Sequence, residues 1–146
     1  MKISSFTGQY EFLSNFHRQP EPILWLGREW HTVEHAFQSS KSLDPADHAR
    51  IAGLRYPSHA KRAGRSLPLR PDWNQIREDI MLQLLHLKFS NPTLRDLLLQ
   101  TGDAELIEGN NWGDTFWGVS GGTGSNKLGN LLMQVRREIA VEHPAA

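Results

Sequence analysis

Apolar residues in the second half of the chain recur with a helical period. Trp73, Ile76, Ile80, Leu84 and Leu87, with a second row through Met81, Leu85 and Phe89, keep a spacing close to 3.6 and predict the longest helix over residues 72–90. Leu128, Leu131, Leu132, Val135 and Ile139 predict a closing helix over 126–141. Shorter helices are marked by their ends. Thr32 caps one running to about Leu43, Asp44-Pro45 opens one ending near Gly53, and Ser58 caps one ending near Gly64. Asn91-Pro92 opens another through Leu99, closed by Gly102.

Residues 3–30 carry short apolar and aromatic runs broken by Gly8, Pro20, Pro22 and Gly27, which predict short strands and a turn. Residues 104–108 form a further strand candidate, and 109–125 a glycine-rich loop or short strands. Strands at the two ends of a helical block predict an α+β fold, a single compact, mostly helical domain over residues 1–146 with a few short strands.

Composition removes whole classes of function. With 146 residues and no cysteine, the chain can bury a real core, and a disulfide scaffold, a thiolate zinc site and a cysteine nucleophile are excluded. The N-terminus lacks a signal-peptide core and no run approaches the length of a membrane span, so the expectation is a cytoplasmic protein without membrane contact. Sixteen Lys+Arg balance sixteen Asp+Glu, which argues against a sequence-independent binder of long nucleic acid. The cations are nonetheless clustered: Arg50, Arg55, Lys61, Arg62, Arg65, Arg70 and Arg77 share one stretch in which Asp72 is the only acid.

Four segments carry candidate chemistry. At 100° per residue, Glu34, Gln38 and Lys41 lie within about 60° of one another on the Thr32 helix, a carboxylate, an amide and an amine on one face. On periodicity alone, a solvated face is the commoner meaning of such a stripe. Second, Trp112, Asp114, Phe116 and Trp117 fall among glycines without helical period, which suits either a base-stacking site or an aromatic corner of the core. Third, the glycines of 118–129 precede a helix and are compatible with a phosphate cradle or with a flexible loop capped by Asn126, although neither a Walker nor a dinucleotide pattern is present. Fourth, Lys61, Arg62 and Arg65, with Trp73 beyond them, can neutralise a phosphate and offer a ring face. His31 and His35 are four apart, but no metal-binding pattern follows, and neither a metal nor another cofactor is expected.

Phe12-Leu-Ser-Asn-Phe16, Thr32-Val-Glu-His-Ala-Phe-Gln-Ser-Ser-Lys41, Ala60-Lys-Arg-Ala-Gly-Arg65, Arg70-Pro-Asp-Trp73, Met81 with Lys88-Phe89, Thr101-Gly102, Leu106-Ile-Glu108, Asp114-Thr-Phe-Trp-Gly118 and Gly124-Ser-Asn-Lys-Leu-Gly129 follow one another in an order that resembles the NADAR, or YbiA-like, family over nearly the whole chain. The resemblance implies an α+β enzyme acting on N-glycosidic bonds. It implies either release of ADP-ribose from guanine, including guanine in nucleic acid, or hydrolysis of phosphorylated ribosylamino-pyrimidine intermediates of riboflavin synthesis. Partners would then be a small nucleotide-like substrate or ADP-ribosylated nucleic acid.

Breaking a ribose C1–N bond builds positive charge on the sugar, which Glu34 or Asp114 can stabilise while the other orients water or protonates the base. Lys41 can instead attack the anomeric carbon and hold the sugar as a Schiff base, or bind phosphate. Trp73, Trp112 and Trp117 are stacking candidates, Asn15, Gln38 and Asn126 hydrogen-bonding candidates, and Lys61, Arg62 and Arg65 the phosphate set. This reading expects Glu34 and the Trp-rich loop to line one pocket. A non-catalytic reader of ADP-ribose or a related nucleotide is the alternative, and it would need the aromatic and cationic residues without the carboxylates.

Overall fold

The structure is a computed structural model and describes residues 1–143. The chain divides into two compact units, one formed by Asn15–Lys88 and the other by residues 1–14 with the chain from residue 89 onward.

The Asn15–Lys88 unit opens with an antiparallel hairpin, β2 (Ile23–Trp25) and β3 (Arg28–Trp30), in which Ile23 faces Trp30 and Trp25 faces Arg28. Leu26 and Gly27 both take positive φ (53° and 72°), as a two-residue hairpin turn requires; glycine carries no steric cost there. Two indole donors fix the hairpin. Trp30 Nε1 donates to the Trp25 carbonyl at 2.7 Å, and Trp25 Nε1 donates to Ser40 Oγ at 2.8 Å.

Helix α1 (Val33–Ser39) is the hub of this unit and packs on α2 (Pro45–Ala52), α3 (Pro57–Gly64), α4 (Trp73–Lys88) and β3. Thr32 caps it as expected, its hydroxyl accepting from His35 N–H. The helix stops short of Leu43, however. Ser40 Oγ donates back to the Ala36 carbonyl at 2.8 Å and Lys41 N–H bonds the Gln38 carbonyl, a tightened last turn that releases Leu43 to solvent. Asp44 caps α2 as expected. For α3 the cap is Tyr56 rather than Ser58, because Pro57 fills the first helical position, where a missing N–H costs nothing.

On α4 the expected faces are displaced by one residue at the C-terminal end. Leu87 lies on the flank and is exposed, while Lys88 occupies the centre of the apolar face beside Leu84, Leu85 and Met81 and is completely buried.

The other unit joins β1 (Lys2–Ile3) to β4 (Glu105–Leu106) in parallel, with Lys2 opposite Glu105 and Ile3 opposite Leu106. A second parallel pair links β5 (Gly109–Asn110) to β6 (Val119–Ser120). Residues 8–13, expected among the strands, form a 3-10 helix (Gly8–Leu13) that buries Phe12 and Leu13. Asn91 caps α5 (Pro92–Gln100). Helix α6 (Lys127–Glu142) packs on α5 and β4 through Leu128, Leu132, Val135 and Ile139. Arg136 is buried in the same face without being orphaned, since its guanidinium donates to Thr101 Oγ1 and to the Ala104 carbonyl, both at 2.8 Å.

Candidate active site

The polar stripe on α1 is not solvated. Glu34 is 7% and Gln38 6% exposed, so a carboxylate and an amide have been taken out of water on the face that a solvated helix would turn outward. Their spacing of four residues lets Gln38 Nε2 donate to Glu34 Oε1 at 2.9 Å. The backbone places Asn15 beside them: Glu34 N–H donates to the Asn15 carbonyl at 3.1 Å, and Asn15 Nδ2 reaches Met81 Sδ on α4 at 3.6 Å. On the other side, Gln38 lies against Gly64 at the end of α3. A Cβ at position 64 would meet Gln38 Oε1, so a side chain there would force the Gln38 amide out of its present position.

Two acceptors in this cluster are buried without a hydrogen-bond partner, Asn15 Oδ1 and Gln38 Oε1. Each such atom costs about 1–3 kcal/mol, a cost that a ligand hydroxyl or amide would remove. Lys41 follows the last turn of α1. Burial lowers its pKa below the usual 10.5; the Glu34 carboxylate opposes that shift, and the Arg65 guanidinium adds to it. Arg65 closes α3, with Lys61 half-buried one turn earlier and Arg62 exposed. The neighbouring Arg70 is already committed to Asp72 through Nε at 2.7 Å.

Trp73, expected as an open stacking face, is instead a core residue. It is 5% exposed and its ring sits 5.1 Å from that of Phe37 on α1.

The loop of the other unit is built differently. Asp114 Oδ1 accepts from the Phe116 and Trp117 amides at 3.1 and 2.9 Å, and the Asp114 amide and carbonyl are both bonded by the Asn110 side chain. Trp117 and Phe116 meet edge to face with centroids 4.9 Å apart, whereas Trp112 is 58% exposed. The glycine-rich segment does not form a phosphate cradle. The amides of Ser125, Asn126, Lys127 and Leu128, which a cradle would point at an anion, are bonded to the carbonyls of Thr115, Gly118, Phe116 and Trp117.

Asn126 stands at the N-cap position of α6 as expected, but without a side-chain cap hydrogen bond. Its backbone is left-handed (φ 51°), and its amide bridges Leu106 O and Glu108 N–H at 3.0 Å each.

The structure thus brings together Asn15, Glu34, Gln38, Lys41 and Arg65 in one unit, while Asp114, Trp112, Trp117 and Asn126 belong to the other. Lys88 was absent from the sequence-derived candidates except as part of a motif. Its signal was legible, a cation in the middle of the apolar face of α4. Among the described residues no group of three or more His, Asp or Glu is arranged to hold a metal ion.

A buried carboxylate, two buried acceptor oxygens without partners, and an amine of reduced basicity thus belong to one unit of the molecule. Comparison with known proteins shows the family. The NADAR domain matches residues 4–140, and the chain belongs to this family. N-glycosidase YbiA of Escherichia coli (strain K12) is 40% identical over 142 residues, covering 94% of this chain and 87% of its own. Its NMR structure superposes with a TM-score of 0.83 at 39% identity over 97% of this chain and 85% of that one. N-glycosidase Npun_R5314 of Nostoc punctiforme is 37% identical over 137 residues (89% and 86% of the two chains), and riboflavin biosynthesis protein VVA0006 of Vibrio vulnificus is 36% identical over 137 residues, 91% of this chain but 36% of its own.

Proposed function

We propose that this protein is an N-glycosidase that hydrolyses a ribose C1–N bond, with Glu34 as the carboxylate that meets the charge developing on the sugar. The observation that supports this reading is the buried Glu34–Gln38 pair beside Lys41. In a site shielded from water a fixed carboxylate interacts with an oxocarbenium-like sugar far more strongly than in bulk solvent. Asn15 Oδ1 and Gln38 Oε1 accept from two sugar hydroxyls, and Arg65, with Lys61 and Arg62, faces the phosphate. Glu34 also activates the water that adds to C1.

The lowered basicity of Lys41 favours a second route. Its neutral Nζ attacks C1, and the base leaves with the C1–N electron pair and takes up a proton. The ring then opens to an imine, and water releases the sugar and restores the amine.

ADP-ribosyl-guanine and phosphorylated ribosylamino-pyrimidines both present a ribose C1–N bond, a planar base and a phosphate, and both fit this reading. The name of the Vibrio relative supports the second class. The test is to incubate the protein with an ADP-ribosyl-guanine oligonucleotide and, separately, with ribosylamino-pyrimidine phosphate, and to follow products by mass. Free base and free sugar are the expected products. Tight binding of ADP-ribose by calorimetry with no base released from either substrate would make the protein a reader. Borohydride trapping of a sugar on Lys41 separates the two routes.

A further inference from the structure

Within the Asn15–Lys88 unit, a cavity of about 370 Å³ opens on the side of α1 that carries His35, and none of Glu34, Gln38 and Lys41 lines it. Its floor is Trp30, Thr32, His35 and Leu54; its rim is Arg18, His31, Arg55 and Glu29; its ring walls are Phe16 and Tyr56. We propose that this cavity is a second binding site, for a phosphate-bearing nucleotide unit, with Arg18 and Arg55 on the phosphate and Tyr56 against the base. The inference stands independently of the activity assigned to the Glu34 face.

Three observations carry it. The rim is cationic, with two arginines against one carboxylate, and among the described residues neither Arg18 nor Arg55 is ion-paired. Arg55 Cζ sits 5.3 Å from the centroid of Tyr56, which itself is 48% exposed. A guanidinium held over a ring keeps its edge donors available for phosphate oxygens, and the ring, which also meets His59 edge to face at 5.2 Å, keeps about half of its surface open to a base. The floor is rigid and already satisfied: the His35 ring bonds Thr32 Oγ1 through Nδ1 at 2.7 Å and the Leu54 carbonyl through Nε2 at 2.9 Å.

His31 and Arg18 line the same cavity as the His35 ring, whose pKa is lowered first by burial and further by these two neighbours. The volume lies low in the range of small-ligand sites, which suits one nucleotide rather than two.

The unit can come from a free mononucleotide or from a nucleotide in a single strand. The experiment is a titration of the intact protein, followed by NMR of the His31 and His35 imidazoles, with AMP, with inorganic phosphate and with an unmodified oligothymidylate. AMP is expected to shift both rings equally in wild type and in Glu34→Gln. Arg18→Ala and Arg55→Ala each weaken AMP about tenfold, and Tyr56→Leu weakens AMP while sparing phosphate. Tighter binding of the oligonucleotide, with the same losses, assigns the site to a strand; AMP binding alone assigns it to a free nucleotide. Rings that stay unmoved by all three probes, shifts that survive both arginine substitutions, or shifts that vanish in Glu34→Gln overturn the proposal. That last result points to the α1 polar face instead. Base release by Arg55→Ala at the wild-type rate separates this failure from failure of the catalytic reading.

Discussion

Residues 32–41 and residues 108–126 both gather polar and aromatic side chains, and they use those groups in opposite ways. In the second stretch most of the polar atoms are turned on one another. Asp114 holds two amides, Asn110 brackets the Asp114 peptide groups, Asn126 bridges residues 106 and 108, and the first amides of α6 are taken by loop carbonyls. In the first stretch Glu34 and Gln38 are buried deeper, and Gln38 Oε1 and the neighbouring Asn15 Oδ1 stay without partners. A loop stabilised by its own hydrogen bonds offers few open polar atoms, whereas the unpartnered acceptors beside Glu34 are what the proposed site rests on.

The largest effect expected from this contrast is at Glu34. Glu34→Gln should lower turnover about a thousandfold with KM changed less than about threefold, since the carboxylate acts on charge that exists only in the transition state. Wild-type base release by the variant, measured by mass, would remove Glu34 from the chemistry.

Asn126→Ala should act on stability instead. It strands Glu108 N–H and Leu106 O and puts a Cβ-bearing residue without amide support at φ 51°, for a loss of about 2–4 kcal/mol in denaturant unfolding with KM unaltered. A raised KM at unchanged stability would return Asn126 to the ligand.

The smallest effect is a shift along the pH axis. Burial lowers the Lys41 pKa below 10.5, so the rate of borohydride-trapped adduct formation should rise with pH and level off at a midpoint below that value. Glu34→Gln removes the charge that favours the protonated amine and should move the midpoint lower still. Because the unfolded chain holds more protons between the two pKa values, the same group makes stability rise with pH through that window. A midpoint at or above 10.5 would place Lys41 in ordinary solvent.

Much of the scaffold could be read from the chain. The long helices announce themselves by period, and Thr32, Asp44 and Asn91 mark starts that the structure retains. The two-residue strands were harder to read because they have no period of their own, and β1 finds its partner a hundred residues later.

The site was half visible. Spacing placed Glu34, Gln38 and Lys41 on one face, but Gln38 packs against Gly64, on a separate helix that periodicity does not orient. The histidines at 31 and 35 raised only a metal reading, which their sequence context did not support, because the arginines that share their cavity come from residues 18 and 55. Trp73 misled for a simpler reason: a large ring beside cations satisfies core packing as readily as stacking.

The pairing of Lys2–Ile3 with Glu105–Leu106 has a consequence for biosynthesis. Residues 15–88 leave the ribosome as one uninterrupted stretch and can begin to order themselves at once, whereas the first strand must wait, its edge unclaimed, until more than a hundred further residues have been translated. A bulky tag fused at Met1, or a pause in translation before residue 105, should therefore disturb assembly of that discontinuous half while the continuous one still forms.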